Sequence, residues 1–148
     1  MPKTKLTPYD PTQLQENLHR SGRRLTPQRM IIFEAVQTLK GHVTADEVYQ
    51  QVQPKHRTIT RATVYRTLEV LRDEGLVTGT DLGQGRIQFE VSRDHHHHHL
   101  VCLNCGMVQE INGDLFNTVN LHLKKKYKFQ ARIEHFAIFG LCEKCTKT

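Results

Sequence analysis

The stretch "TITRATVYRTLEVLRDEG", residues 58–75, decides the fold because it has the pattern of one helix with a stop signal at each end. Thr58 or Thr60 can cap its first turn, and Gly75 can end it. Apolar side chains recur at helical spacing between these limits. The predicted buried stripe is Val64, Leu68 and Leu71.

The opposite face of this helix carries Arg61, Thr63 and Arg66, with Tyr65 at its margin. Arginine can read guanine edges through two hydrogen bonds or hold phosphates. An ordinary amphipathic helix with solvated arginines has the same pattern. This helix alone therefore leaves DNA binding and simple solvation both open.

Three shorter helices are predicted before it. In "RLTPQR", Thr26 is a candidate cap, and Pro27 takes the first helical position, where its missing N–H costs nothing. "TADE", residues 44–47, fits a capping box and begins the third helix. Arg24 and Arg29 flank the start of the second helix, where they could hold backbone phosphates.

Two β-like runs follow the fourth helix, namely "LVTGTD" at 76–81 and "RIQFEV" at 86–91. The glycine-containing "LGQG" between them predicts a hairpin. Three short helices, a fourth helix and a hairpin are the order of a winged helix-turn-helix, with the fourth helix in the recognition position. We expect this domain to span residues 1–90, with residues 1–10 as a mobile arm.

Residues 91–148 change character and predict a small α/β domain, so the fold class of the whole chain is α+β. Two strands should flank a Cys-Gly turn, Asp114 can cap a helix through Phe116 and Val119, and further strands should lie in residues 128–142. So short a domain cannot hold a robust core alone. It would need a metal, a partner subunit or both.

The four cysteines of the chain form two Cys-x-x-Cys pairs. Four thiolates complete the tetrahedral shell of a structural Zn²⁺, and a chain without a secretion signal favours metal over disulfides. The alternatives are buried free thiols or a redox motif, although a redox pair would open a helix and neither pair clearly does. The predicted zinc ligands are Cys102, Cys105, Cys142 and Cys145.

Five consecutive histidines, residues 95–99, precede the first cysteine pair. In an extended strand His97 and His99 point to one face, and His96 and His98 to the other, so one strand could serve two metal sites. Imidazole and carboxylate ligands suit Fe²⁺, Mn²⁺ or Zn²⁺. A solvated histidine-rich loop is the alternative. Further donors that could join such sites are His42, Glu90 and Glu110.

The composition is that of an ordinary globular chain, with 148 residues, 37% hydrophobic and 24% charged. No run of 18 apolar residues and no apolar N-terminal stretch is present, so we expect no membrane span, no secretory signal and a cytoplasmic location. The net charge of +6 and the pI of about 9.3 are compatible with nucleic acid as a partner but do not require it.

The motifs "RLTPQR", "HVTADEVY", "ATVYRTL", "HHHHHLVCLNCG" and "CEKC" together resemble the ferric uptake regulator (Fur) superfamily over residues 12–145. The resemblance implies a bacterial homodimeric repressor with an N-terminal winged-helix domain and a C-terminal dimerisation domain. Its partner would be a palindromic, AT-rich double-stranded DNA operator. Metal binding would favour the closed, DNA-binding form.

The resemblance also implies the ligand sets of three metal sites. The structural zinc falls on the four cysteines. A sensing site between the domains falls on His42, Glu90, His97, His99 and Glu110. An auxiliary site falls on His96, His98 and His135. Many relatives have Asp at the position of His98 and an acidic ligand where this chain has Asn117 or Thr118, so the auxiliary site should be weak or completed by water.

Two residues favour Fe²⁺ as the regulatory metal. Zinc sensors of the superfamily often have Cys near the position of Glu90, and peroxide sensors often have Asp there and Asn at the position of Arg66. A zinc uptake regulator and a peroxide- or manganese-responsive repressor, with Zn²⁺ or Mn²⁺ as the metal, remain alternatives. A metalloenzyme using His97, His99 and Glu90, with Glu110 as general base, is another class. A metal-storage protein would leave the winged helix unexplained.

Overall fold

The computed structural model describes residues 11–92, 97–131, 133 and 135–147, so the predicted arm at residues 1–10 lies outside it. The described chain divides into two units. The first contains the residues up to Thr78 together with Phe89–Ser92, and the second contains Gly79–Gln88 together with the residues from His97 onward. The predicted boundary at residue 90 assigned the whole hairpin to the first domain. The hairpin tip makes its contacts within the second unit, and the domain boundary near residue 90 stays a prediction.

The first unit contains four helices whose starts follow the sequence signals. Thr26 caps the second helix, Thr44 and Glu47 form a complete capping box on the third, and Thr60, not Thr58, caps the fourth. No helix among the described residues is long and apolar enough to cross a membrane. The helices are α1 (Pro11–Arg20), α2 (Pro27–Leu39), α3 (Ala45–Val52) and α4 (Arg61–Asp73).

The core of the first unit confirms the predicted stripe on α4, because Val64, Leu68 and Leu71 are all fully buried. They pack with side chains from α1, α2 and α3, such as Leu18 and Ile32. Burial of each large aliphatic side chain contributes about 1.5–3 kcal/mol. The stripe therefore fixes α4 on the core and leaves its basic face outward.

The hairpin belongs to a three-stranded sheet in the order β1–β3–β2. Its turn contains Gly83 and Gly85 at φ of 88° and 68°, a region that favours glycine. The Asp81 carboxylate accepts hydrogen bonds from the backbone N–H groups of Gly83 and Gln84 at 2.8 and 3.1 Å. The strands are β1 (Val43–Thr44), which the sequence did not predict, β2 (Val77–Asp81) and β3 (Ile87–Val91).

The second unit contains a sheet in the order β5–β4–β6, in which β4 runs antiparallel to β5 and parallel to β6. A 3-10 turn over Gly113–Phe116, capped by Asn112, follows β5. The next helix therefore begins at Asn117, and Asp114, the predicted cap, lies within the 3-10 turn. The elements are β4 (His97–Cys102), β5 (Val108–Asn112), α5 (Asn117–Tyr127), β6 (Ala137–Gly140) and α6 (Glu143–Thr146).

Candidate metal centres and nucleic-acid interface

The four predicted zinc ligands come together in the second unit. Cys102 ends β4, Cys105 lies in the turn that Gly106 completes at φ 71°, and Cys142 and Cys145 stand at the start and within α6. Their sulfur atoms lie within 4.8 Å of one another, and those of Cys105 and Cys142 are 3.8 Å apart. A tetrahedral shell with Zn–S bonds of about 2.3 Å has edges of about 3.8 Å, so the cluster fits Zn²⁺.

Two thiols of the cysteine cluster have pKa values shifted in opposite directions. Backbone N–H groups of Cys105, Cys142 and Asn104 outweigh burial and lower the pKa of Cys102 to about 6. The Asn104 side chain lowers the pKa of Cys145, but the hydrogen-bonded Cys142 thiol, burial and the other two thiols together raise it to about 12. The lowered pKa of Cys102 favours its thiolate at neutral pH, whereas Cys145 must lose its proton as metal binds.

The second cysteine pair differs from expectation, because Cys142 is the N-cap residue of the four-residue helix α6. A helix start is the feature that we associated with a redox pair. However, all four thiols converge, and the 3.8 Å contact joins Cys105 of one pair to Cys142 of the other. A shell built across the two pairs is a metal arrangement, not a dithiol one.

Three histidines form a second cluster in the same unit. His97 and His99 share one face of β4, and His135 lies just before β6. The Nε2 atom of His135 is 2.8 Å from Nε2 of His99 and 3.3 Å from Nε2 of His97. Ligand atoms on a metal with bonds of about 2.1 Å are separated by about 3.0–3.4 Å, so the three rings can share one divalent ion.

This cluster differs from the predicted auxiliary set of His96, His98 and His135, which stays a prediction. His98 points to the other face of β4, where it is fully buried and packs on Phe116 and Phe136 with ring centroids 4.6 and 4.3 Å away. His135 precedes Phe136 and faces the opposite way, toward His97 and His99. His96 lies outside the described residues. Strand alternation therefore separates the two described members of the set.

The remaining predicted sensing ligands have different environments. In the first unit Nε2 of His42 lies 3.7 Å from a carboxylate oxygen of Glu90, which is 2% exposed. In the second unit Glu110 is paired with His99 across β4 and β5, but its side chain is exposed and does not join the three histidines. No local feature of the sequence places His135 beside His97 and His99, because that placement depends on the non-local pairing of β6 with β4.

The outward face of α4 is less uniform than its sequence indicates. Tyr65 and Arg66 are exposed. Arg61 is exposed too, but it forms an ion pair with Asp46 and lies 4.9 Å from the centre of the Tyr49 ring.

Two other predicted DNA contacts take part in local hydrogen bonds. The hydroxyl of Thr63 is hydrogen-bonded to that of the cap residue Thr60 at 2.9 Å. The guanidinium of Arg29 donates to the carbonyl oxygen of Arg24 at 2.5 Å, while the Arg24 side chain is exposed. The face most available to DNA therefore centres on Tyr65 and Arg66.

Comparison with known proteins agrees with these features. Residues 20–139 match the Ferric uptake regulator family. The ferric uptake regulation protein of Bacillus subtilis is 34% identical over 137 residues, which cover 90% of this chain and 92% of that protein. The peroxide-responsive repressor PerR of Staphylococcus epidermidis is 31% identical over 129 residues, 87% of this chain and 85% of that protein.

Solved structures agree as well. The crystal structure of the Vibrio cholerae ferric uptake regulator has 34% sequence identity and a TM-score of 0.62, covering 87% of this chain and 99% of that one. The metalloenzyme alternative is thereby excluded, since the proteins matched are transcription regulators. The chain belongs to the ferric uptake regulator family of metal-responsive, DNA-binding transcription regulators.

Proposed function

We propose that this protein is a transcriptional repressor that binds a palindromic, AT-rich DNA operator as a homodimer when Fe²⁺ is bound. The observation that carries the proposal is the presence of two chemically distinct donor sets. Four thiols converge at one end of β4, and a separate set of imidazoles includes two, His97 and His99, from the same strand. A permanent structural ion and an exchangeable regulatory ion need such a difference in ligand chemistry.

The four cysteines are the proposed structural Zn²⁺ site. The cluster ties α6, near the end of the chain, to the end of β4. When bound, zinc supplies cohesion and no reaction. Because the cluster uses every cysteine of the chain, the regulatory ion must be held by nitrogen and oxygen atoms.

We propose that the regulatory ion takes ligands from His97, His99 and His135 of the second unit and from His42 and Glu90 of the first. Glu90 is a buried carboxylate beside an imidazole, and a buried negative charge is stabilised by a cation. Relative to the set implied by the sequence, His135 replaces Glu110. An ion held by both units would favour one arrangement of the two over others, which is a shift of population driven by differential affinity.

Iron is the proposed ion because the donor set contains no thiolate. A thiolate would favour Zn²⁺, whereas imidazole and carboxylate also serve Fe²⁺ and Mn²⁺. Raw affinity still favours Zn²⁺ over Fe²⁺ at such a site, so availability in the cell must decide. The ferric uptake and peroxide-responsive relatives, at 34% and 31% identity, do not separate these alternatives.

The dimer is proposed to form through the second unit. None of the residues of α5 is buried, and large apolar side chains are exposed on and around this helix. Exposed apolar patches of this kind mark protein interfaces. The side chains include Leu115, Val119, Leu121, Tyr127 and Phe129. Two copies joined there would present two α4 helices, as a palindromic operator requires.

The test is an anaerobic titration of the zinc-loaded dimer with Fe²⁺, Mn²⁺ or Zn²⁺, with binding to a labelled palindromic AT-rich duplex followed by fluorescence anisotropy. We expect Fe²⁺ to induce binding and Mn²⁺ to substitute for it. Activation by Zn²⁺ alone would replace the iron assignment with zinc uptake regulation. Loss of DNA binding when stoichiometric peroxide is added to the Fe²⁺ form would instead support the peroxide-responsive alternative. DNA binding that ignores all three metals would overturn the proposal.

A further inference from the structure

We infer that Thr80, on strand β2 of the hairpin, is a positioning residue for the regulatory metal, acting through a hydrogen bond to His135. The inference rests on the proposed function, because it assigns a role to a residue beside the proposed ion. Thr80 offers no nitrogen or carboxylate to the metal. Its effect would come from the orientation and the tautomer of the His135 imidazole, which does offer a nitrogen to the metal.

The geometry places the two nitrogens of His135 in different roles. The Thr80 hydroxyl is hydrogen-bonded to Nδ1 of His135. On the other side of the same ring, Nε2 lies 2.8 Å from Nε2 of His99 and 3.3 Å from Nε2 of His97. Thr80 is 8% exposed, so little water competes for its hydroxyl. The hairpin therefore holds one edge of the ring while the other edge faces the cluster.

This arrangement couples metal binding to the direction of the hydrogen bond. A histidine that binds metal through Nε2 must have a lone pair there, so its proton resides on Nδ1. Nδ1–H then donates to the Thr80 oxygen. If the hydroxyl donates to Nδ1 instead, the proton resides on Nε2, and His135 cannot be a ligand. Metal binding thus selects the state in which Thr80 accepts.

Hydrogen-bond partners of metal-bound histidines have a known effect on metal affinity. The free N–H of a metal-bound histidine nearly always donates to an oxygen, which fixes the tautomer and the ring orientation. Loss of that partner typically weakens metal binding on the order of 10–100-fold. A neutral hydroxyl is a weaker acceptor than a carboxylate, so the lower end of this range applies to Thr80.

The packing of the hairpin tip supports a fixed position for Thr80. A Cβ atom on Gly83 would lie 3.1 Å from the Phe139 ring and 3.7 Å from Val101, so the turn of the hairpin is seated closely on β4 and β6. His97 and His99 lie on β4, and His135 lies two residues before the start of β6. The same sheet therefore holds both the cluster and the hairpin that orients it.

Thr78 provides a matched control on the same strand. It lies two residues before Thr80, on the same face of β2 by strand alternation. Its buried hydroxyl has no hydrogen-bond partner among the residues that the structure describes. Replacement of either threonine by valine removes one hydroxyl and keeps the shape, but only Thr80→Val removes a contact with His135.

The first measurement is the affinity of the zinc-loaded, full-length protein for Mn²⁺, determined by competition with a chelator. We expect Thr80→Val to weaken Mn²⁺ binding about tenfold, Thr80→Ser to retain near wild-type affinity, and Thr78→Val to leave it unchanged. Zinc content and far-UV circular dichroism report whether each variant is folded. Equal affinities for Thr80→Val and Thr78→Val would overturn the inference.

The second measurement needs no variant and decides the matter if Thr80→Val fails to fold. Nitrogen-15 NMR of wild-type protein with Zn²⁺ added beyond the structural ion should show His135 bound through Nε2 and carrying a slowly exchanging Nδ1–H. A His135 bound through Nδ1, or an Nδ1–H that exchanges as fast as that of an exposed histidine, would overturn the inference. Failure of the wild-type protein to take up a second ion would instead refute the proposed function.

Discussion

At the scale of single residues, two arginines of α4 have different freedom to bind DNA. Arg61 is already engaged by the Asp46 carboxylate and the Tyr49 ring, whereas Arg66 is exposed beside Tyr65. An exposed ion pair is worth at most about 1 kcal/mol, so DNA can displace it. The displacement nevertheless reduces what Arg61 can contribute to net affinity.

We therefore expect Arg66→Ala to weaken operator binding by about 1–3 kcal/mol and to relax specificity at the base it reads. Arg61→Ala should cost less, because its ion pair with Asp46 is lost when DNA binds. Anisotropy titrations on the operator and on single-base variants would measure both effects. A normal Arg66→Ala protein would show that another face of the domain reads DNA.

Glu90 is the carboxylate whose removal should affect the regulatory metal most. It is buried beside His42, whereas Glu110 is exposed and outside the histidine cluster. We expect Glu90→Gln to weaken Mn²⁺ binding and metal-dependent DNA binding while the zinc content and the dimer persist. Glu110→Gln is the matched control and should bind Mn²⁺ normally. A reversal of these two results would restore Glu110 to the site.

The candidate ligands that could be grouped from sequence are those that local geometry brings together, and their binding of metal stays a prediction. The faces of His97 and His99 follow from strand alternation, and the spacing of the cysteines indicates their common site. The position of His135 could not be predicted in this way. It depends on the pairing of β4 with β6, whose residues His99 and Ala137 are far apart in the chain. The contact between Thr80 and His135 could not be predicted from the sequence for the same reason.

At the scale of elements, the capping box of α3 is a local source of stability. The backbone N–H of Thr44 donates to the Glu47 carboxylate at 2.7 Å, and the backbone N–H of Glu47 donates to the Thr44 hydroxyl at 3.2 Å. Caps of this kind satisfy backbone groups that the helix itself leaves without partners. Since α3 packs on both α2 and α4, loss of the cap should be felt throughout the first unit.

We expect Thr44→Ala to lower the free energy of unfolding of the first unit by about 1 kcal/mol. Urea denaturation, followed by the helical circular dichroism signal, would measure the change. Thr38→Ala is a suitable control, because the Thr38 hydroxyl only donates to the carbonyl oxygen of Glu34 within α2. Equal losses in the two variants would show that the capping box is not a specific source of stability.

Elements with local signals were predicted better than elements that depend on distant partners. The starts of α2, α3 and α4 follow from threonine caps that act within three residues. In the second unit, by contrast, the predicted strands in residues 128–142 reduce to Ala137–Gly140 among the described residues. That strand forms because β4 provides a parallel partner, and parallel pairing has no local turn signal.

At the scale of the whole molecule, apolar burial is distributed unequally between the units. The large core cluster consists of first-unit residues. In the described part of the second unit the buried hydrophobic residues are few, namely Leu82, Val101 and Cys102. Under the proposed function, the second unit gains further stability from bound metal and from a partner copy. Structural zinc can supply on the order of 10 kcal/mol of apparent binding energy.

We consequently expect Cys145→Ser to lose the structural zinc and the dimer together. Lys147→Ser is a nearby control, because Lys147 is exposed and its ion pair is with the exposed Glu143. Elemental analysis by mass spectrometry and analytical ultracentrifugation would follow zinc content and assembly. A Cys145→Ser protein that stays dimeric with one tightly held zinc per chain would contradict this account.

The residues of β4 that follow the histidine run determine which histidines lie on each face of the strand. A run of identical side chains does not by itself select one register of β4 against its neighbouring strands. A shift of the register by one residue would again place histidines at these positions, but each histidine would move to the other face of the strand. The residues that follow the run are not interchangeable, since Val101 pairs with Val108 and Cys102 must reach the thiol cluster. The alignment is thus anchored from the cysteine end. Whether a histidine can be a ligand therefore depends on the number of residues between it and Cys102, and not on its place within the run.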